Sequence, residues 1–172
     1  MKADIVVEDI RWRKLSLDEI ASASLNLVET DMLDSNEDFE ISILATNDFG
    51  MTQLNEKSRG FNESTNILSW PEYNYERVKP GAFPKRKSKR FQYYEGPDFL
   101  GNIAICFDRC FIEADQRQID VKDHITHLLI HGCLHLIGFE HEDELDATLM
   151  EETEKRLLLE LGIKNPYAVN GR

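Results

Sequence analysis

All five histidines of the 172-residue chain lie between His124 and His141, and three of them have the spacing of a metal site. His131 and His135 are four residues apart, so on a helix both imidazoles project from one face about one turn apart. Gly138 lets the chain leave that helix and turn, which brings His141 back to the same point. The run His131-Gly132-Cys133-Leu134-His135-Leu136-Ile137-Gly138-Phe139-Glu140-His141 therefore reads as three nitrogen ligands on one short segment. That set suits a divalent transition metal, above all one zinc ion (Zn2+) per chain. A structural zinc site is closed by a fourth protein ligand. Three ligands leave a position for water or substrate, which is the arrangement of an enzyme. An ion so held lowers the pKa of its water from 15.7 toward ~7 and polarises a phosphoryl oxygen, so the expected chemistry is hydrolysis at neutral pH. His124 and His127 fall on the same stripe one to two turns earlier. They are expected to stand behind the site and tie the second nitrogen of a ligand rather than bind metal themselves.

The spacing His-x-x-x-His-x-x-Gly-x-x-His is shared with one class of zinc proteases, in which a Glu after the first His is the general base. Here that position is Gly132, and peptide hydrolysis lacks its proton acceptor. A metalloprotease is thus an alternative reading, disfavoured by Gly132. Glu140 and Glu142 stand close enough in sequence to act as a base or as outer partners, although acids opening an exposed helix commonly serve as caps. Cys106, Cys110 and Cys133 have no second pair to complete a metal site. They read as reduced, buried thiols of a cytoplasmic protein.

The elements that must position the histidines are legible from periodicity and punctuation. Ala3 to Val7 alternates as a strand. Ser16, with Glu19 three residues on, forms a capping-box pattern before a helix toward Leu33. Phe39, Ile41 and Leu44 mark a second strand. Asn47-Asp48 caps a helix through Leu54 to Arg59, and Ile67 to Trp70 is a third strand closed by Pro71. Ile103, Ile105 and Phe107 alternate as a fourth strand. Asp120 caps a helix from Val121 to Ile137 that is apolar around most of its circumference, and is therefore central and buried. Asp143 opens a last helix, whose Leu145, Leu149, Leu157 and Leu161 fall at four-residue steps before Gly162. The expected fold is α/β: a single domain, residues 1–172, with a mixed four-stranded sheet packed with helices and the metal site on a central helix. Between them, residues 72–99 are expected to form a long, mobile, basic loop.

The net charge of −12 argues against a general nucleic-acid coat protein, and no contact with DNA is expected. The distribution is uneven, however: Lys85, Arg86, Lys87, Lys89 and Arg90 sit within six residues. This cluster reads either as a solvated loop or as a substrate-binding loop that contacts RNA. No stretch approaches the ~20 apolar residues of a membrane span, and no apolar signal region opens the chain. A cytoplasmic protein without a membrane partner is expected.

The histidine run resembles the signature of the bacterial YbeY endoribonucleases, His-Gly-x-Leu-His-Leu-x-Gly-Tyr-Asp-His, with Phe139 in place of Tyr and Glu140 in place of Asp. Leu54-Asn55 with Arg59 is similar to that family's Leu-Asn-x-x-Tyr-Arg, with Ser58 for its Tyr. Ser64-Thr65-Asn66-Ile67-Leu68-Ser69-Trp70-Pro71 resembles Pro-Thr-Asp/Asn-Val-Leu-Ser-Phe-Pro. Leu100-Gly101-Asn102-Ile103 looks like Leu-Gly-Asp-Ile, with Asn102 removing the carboxylate. Leu161-Gly162 and Pro166-Tyr167 match the C-terminal end. The resemblance implies a zinc-dependent, single-strand-specific endoribonuclease acting in maturation of the 3′ end of 16S ribosomal RNA and in ribosome quality control. It implies a catalytic Arg59 near the metal, and single-stranded RNA, ribosomal RNA and the ribosome as partners. From a different class comes the alternative of a zinc-stabilised ribosome-binding module without chemistry, which the basic cluster would serve.

Overall fold

Short β-branched runs alternate with helical periodicities along the chain, and each run becomes a strand where its apolar side faces the central helix. The computed structural model describes residues 1–33, 37–86 and 96–168. In chain order its elements are β1 (Lys2–Val7), α1 (Leu17–Met32), β2 (Phe39–Thr46), α2 (Asp48–Arg59), β3 (Ile67–Pro71), β4 (Tyr75–Glu76), β5 (Lys85–Arg86), β6 (Asp98–Cys106), α3 (Phe107–Arg117), α4 (Val121–Leu136) and α5 (Glu144–Glu160), with a 3-10 turn at Ile10–Lys14. The main sheet has the order β1-β2-β6-β3, with the first three strands parallel and β3 antiparallel on the edge. This is the mixed four-stranded sheet that the sequence suggests.

One face of the sheet presents Ile41, Ile43, Ile103 and Ile105, all essentially inaccessible to solvent, to α1 and α4. Helix α4 lies against the sheet, α1, α3 and α5, and its Ile125, Leu129, Ile130 and Leu134 are fully buried. Each such side chain contributes ~1.5–3 kcal/mol of burial, so the helix that carries His131 and His135 is the most firmly fixed element of the fold. The Asp120 carboxylate starts it, accepting from the backbone N–H groups of Lys122 and Asp123 at 2.8 and 3.3 Å. On the other face, α2 covers only part of the sheet, through Met51 against Leu68, Ala104 and Cys106.

Four expectations need correction. Phe107 does not end a strand; it is the first residue of α3, which has no side-chain cap and a buried stripe of only Cys110 and Ala114, too short a pattern to read. Ser16 sits at the N-cap of α1 but with φ 53°, and its hydroxyl makes no capping bond, so the box with Glu19 does not form. In α5 the buried stripe is Asp146, Met150, Thr153, Glu154 and Leu157, while Leu145 is 59% exposed. Four-residue steps drift by ~40° each around a helix of 3.6 residues per turn, so Leu145 and Leu161 at the two ends of the series turn outward while Leu157 stays in the core. Within the long segment before β6, β4 and β5 pair as a small antiparallel hairpin. Of the basic cluster, Lys87, Lys89 and Arg90 lie outside the described residues. The three cysteines are free and buried, as expected. No described helix is long and apolar enough to cross a membrane.

Candidate metal centre

His131 and His135 face the same cleft from the last two turns of α4. Their Nε2 atoms are 3.1 Å apart and their rings are almost perpendicular. The chain leaves α4 at Gly138, whose φ of +91° is a conformation that L side chains avoid. A Cβ there would also lie 2.3 Å from the Tyr75 ring, so only glycine allows the turn and the packing of β4 against it. The turn is closed by backbone bonds from Gly138 N–H to the His135 carbonyl and from Phe139 N–H to the Leu134 carbonyl, each 3.0 Å. Beyond it, the His141 ring stands 5.0 Å from that of His135 and 5.5 Å from that of His131. One nitrogen of each of the three rings lies within 4.8 Å of the others.

The second nitrogens decide what the first can do. The His135 Nδ1–H donates to the Phe139 carbonyl at 2.9 Å, and the His131 Nδ1–H donates to Glu154 Oε1 at 2.7 Å. A carbonyl and a carboxylate only accept, so both protons are fixed on Nδ1 and both Nε2 atoms carry lone pairs. Two lone pairs aimed at each other across 3.1 Å repel unless a cation lies between them. Nitrogens bound at ~2.0–2.1 Å around a tetrahedral zinc are ~3.4 Å apart, so the donor set fits such an ion. Burial, with His131 and His141 adjacent, pushes the His135 pKa down to about 4, which keeps this imidazole neutral and available as a ligand.

Glu154 is the residue of the site that sequence reading passed over. It is completely buried, and besides His131 it accepts from His127 Nε2–H at 2.8 Å and from the Tyr167 hydroxyl. The expectation that His124 or His127 would tie a ligand is replaced by this carboxylate, with His127 holding its second oxygen. His124 instead meets Glu113 of α3 at 2.9 Å, and Glu113 accepts from the Asn66 amide at 2.9 Å, fixing the residue that opens β3 at the cleft. In the sequence Glu154 was one acid in a crowded acidic stretch. Its signal was its place on the same face as Met150 and Leu157, where a charge needs a buried partner.

The cleft around the three histidines has a volume of about 430 Å3 and is rimmed by Arg59, Thr65, Asn66, Ser69, Glu140 and Glu142. Arg59, in the last turn of α2, is exposed and makes no ion pair among the described residues, so its guanidinium is free for an anion. The Glu140 carboxyl is half-buried with Oε2 3.7 Å from His135 Nδ1, and burial raises its pKa. The described residues of the basic cluster, Lys85 and Arg86, are not part of this rim. Lys85 is exposed on β5, whereas Arg86 pairs with Asp98 and Glu37 and lies over the Tyr73 ring, anchoring the hairpin to the sheet.

Gly132 packs against β3 and β6 beside the cleft. A Cβ there would meet Ile67 Cδ1 at 2.9 Å and Ile103 Cδ1 and Ser69 Oγ at 3.1 Å. Gly132 supplies no proton acceptor beside the histidines, which keeps the protease reading disfavoured. Gly132→Ala requires only side-chain tips to give and gains helix propensity, so we expect a stability change within about 1 kcal/mol. Gly132→Glu places a charge and four more heavy atoms than Ala in this packed layer and should lower stability by more than about 3 kcal/mol. Chemical denaturation of both variants checks this; a Gly132→Glu protein as stable as wild type would contradict the packing described.

A family model described as endoribonuclease YbeY matches residues 6–162 of the chain. Proteins named endoribonuclease YbeY are similar over almost the full length. The one from Ruegeria pomeroyi is 41% identical over 171 residues, covering 98% of this chain and 99% of its own. The one from Cereibacter sphaeroides is 39% identical over 166 residues, covering 95% and 97%. That from Jannaschia sp. is 37% identical over 167 residues, covering 97% and 100%. The solution structure of TM1509 from Thermotoga maritima shares the fold, with a TM-score of 0.54 and 17% identity over 99% of each chain.

Proposed function

The chain belongs to the endoribonuclease YbeY family, and on that premise we propose that it is a zinc-dependent hydrolase that cuts single-stranded RNA in the maturation of ribosomal RNA, acting in the cytoplasm and on the ribosome. The observation that carries this reading is the set of three clustered imidazoles with, on its rim, a guanidinium that makes no ion pair among the described residues. When bound, the ion supplies a Lewis acid for a phosphoryl oxygen and a nucleophile at neutral pH.

The chain's own residues do the rest. His131, His135 and His141 hold the ion, with the two α4 rings locked by Glu154 and the Phe139 carbonyl. Arg59 presents a planar, permanently charged fork to the non-bridging oxygens of the phosphate. Thr65 and Asn66 offer polar groups at the mouth of β3 to the ribose and backbone. Glu140, whose raised pKa brings proton exchange closer to neutral pH, is placed to receive or return a proton at its carboxyl. The basic residues Lys85, Lys87, Lys89 and Arg90 would extend the contact with RNA beyond the cleft.

We expect purified protein to cleave an unstructured oligoribonucleotide, to lose that activity on treatment with a chelator, and to regain it when zinc is restored. Cleavage that persists in metal-stripped protein would refute the reading. Mapping the ends produced from precursor ribosomal RNA tests the substrate assignment separately.

A further inference from the structure

The outer face of the sheet carries a second groove, which α2 leaves open. Outward-facing residues of neighbouring strands fall in rows. Ser42 of β2 pairs with Asn102 of β6, which pairs with Trp70 of β3; the next row is Leu44, Ala104 and Leu68. Helix α2 covers the second row through Met51 and Leu54. Among the described residues nothing covers the first row, and with the last turn of α2 it encloses a groove of about 460 Å3.

Its chemistry is that of an aromatic platform with a polar floor. Leu44, Leu54 and the half-buried Trp70 ring form apolar walls. The Ser42 hydroxyl, the Asn102 amide and the Trp70 indole N–H make no hydrogen bond among the described residues, and Lys57 at the rim makes no ion pair. A purely apolar occupant would leave these donors and acceptors unmatched on desolvation. At the far end, Asp4 of β1 extends the row beside Ser42, so a polyanion cannot run on in that direction.

The groove lies across the edge strand β3 from the metal cleft. β3 is the edge strand, and successive residues of a strand point to opposite faces: Ser69 lines the cleft and Trp70 the groove. The last turn of α2 likewise gives Arg59 to the cleft and Lys57 to the groove. We propose that the groove is a nucleobase subsite for the single-stranded RNA substrate. The strand crosses the edge of β3 with its phosphates between Arg59 and Lys57, and a base flanking the scissile bond stacks on Trp70 with its polar edge toward Asn102 and Ser42. Stacking on an aromatic ring is tolerant of base identity, so the subsite selects unpaired nucleotides rather than a sequence. This inference rests on the RNA reading above, but concerns binding rather than hydrolysis.

Fluorescence separates the two. Trp12 is fully buried in the core, so quenching of tryptophan emission by added RNA reports Trp70. Zinc-loaded protein is mixed with oligouridylate or oligoadenylate and read by stopped flow before cleavage. We expect quenching in the wild type and, in anisotropy titrations of fluorophore-labelled RNA, binding weakened roughly tenfold in Trp70→Ala and restored to within about threefold in Trp70→Phe, which keeps a stacking face. Asn102→Leu, on the exposed floor of the groove, should weaken binding severalfold without affecting folding. Unchanged affinity in Trp70→Ala with no quenching, while RNA is still cleaved, overturns the subsite and leaves the nuclease intact. Equal losses in Trp70→Ala and Trp70→Phe also overturn it, since the effect would then be structural. Quenching and Trp70-dependent binding without any hydrolysis would support the subsite and refute the nuclease.

Discussion

His131→Ala is expected to reduce RNA cleavage about a thousandfold or more, to the level of chelator-treated protein. A metal ion contributes several kcal/mol to stabilising charge at a phosphoryl centre, and ~4 kcal/mol corresponds to about a thousandfold in rate. Two imidazoles cannot hold the ion as three do, and His131 is the member whose second nitrogen is tied to a buried carboxylate. Removing it also leaves Glu154 with one histidine instead of two, so some loss of stability should accompany the loss of activity. Metal content, activity and thermal midpoint measured on the same preparation separate these effects. His141→Ala is the cleaner companion, because His141 is exposed and lies beyond α4. If His141→Ala retains both bound metal and full activity, the three-ligand site is wrong.

Glu154 should yield the second-largest effect, and on two different quantities. Its carboxylate accepts from His131, His127 and Tyr167 in a fully buried position. Glu154→Ala leaves those donors unmatched and opens a cavity, which should cost about 3–5 kcal/mol. For a chain of this size that is a fall of ~10 °C or more in the thermal midpoint. Glu154→Gln preserves the volume but donates from one side. If that amide faces His131, the ring must move its proton to Nε2, the nitrogen that the metal requires free. Zinc affinity should then drop about 10–100-fold, as for partners behind other ligands. A chelator-competition titration reads this directly; wild-type affinity in Glu154→Gln would remove Glu154 from the centre.

The same carboxylate gives the protein an acid limb. Burial alone would raise its pKa, but the hydrogen bonds from His127 and His131 outweigh this and hold it near about 2, against an ordinary 4.5. The folded-state value is depressed, so the stabilisation is complete above about pH 4.5 and is lost as pH falls toward 2. Glu154→Gln should flatten that part of the stability–pH curve.

Much of this site was legible in the chain itself. His131, His135 and His141 are set by local geometry: two are one helical turn apart, and the third follows a glycine that alone can make the exit turn. Neither statement needs a distant residue. The four main strands and the buried character of α4 were equally local, because period-2 and all-round apolar patterns report which faces meet the core. Tertiary structure decided the rest. Helix α3 fully buries only Cys110 and Ala114 and takes its place by packing on α4. Glu154 became a partner of His131 only when α5 was laid against α4. Trp70 and Asn102, thirty-two positions apart, share a groove only because β3 and β6 pair in one register. The three candidate ligands could be read because their chemistry is carried by spacing along one short segment. The groups that orient them, and the surface beside them, depend on which elements pack together.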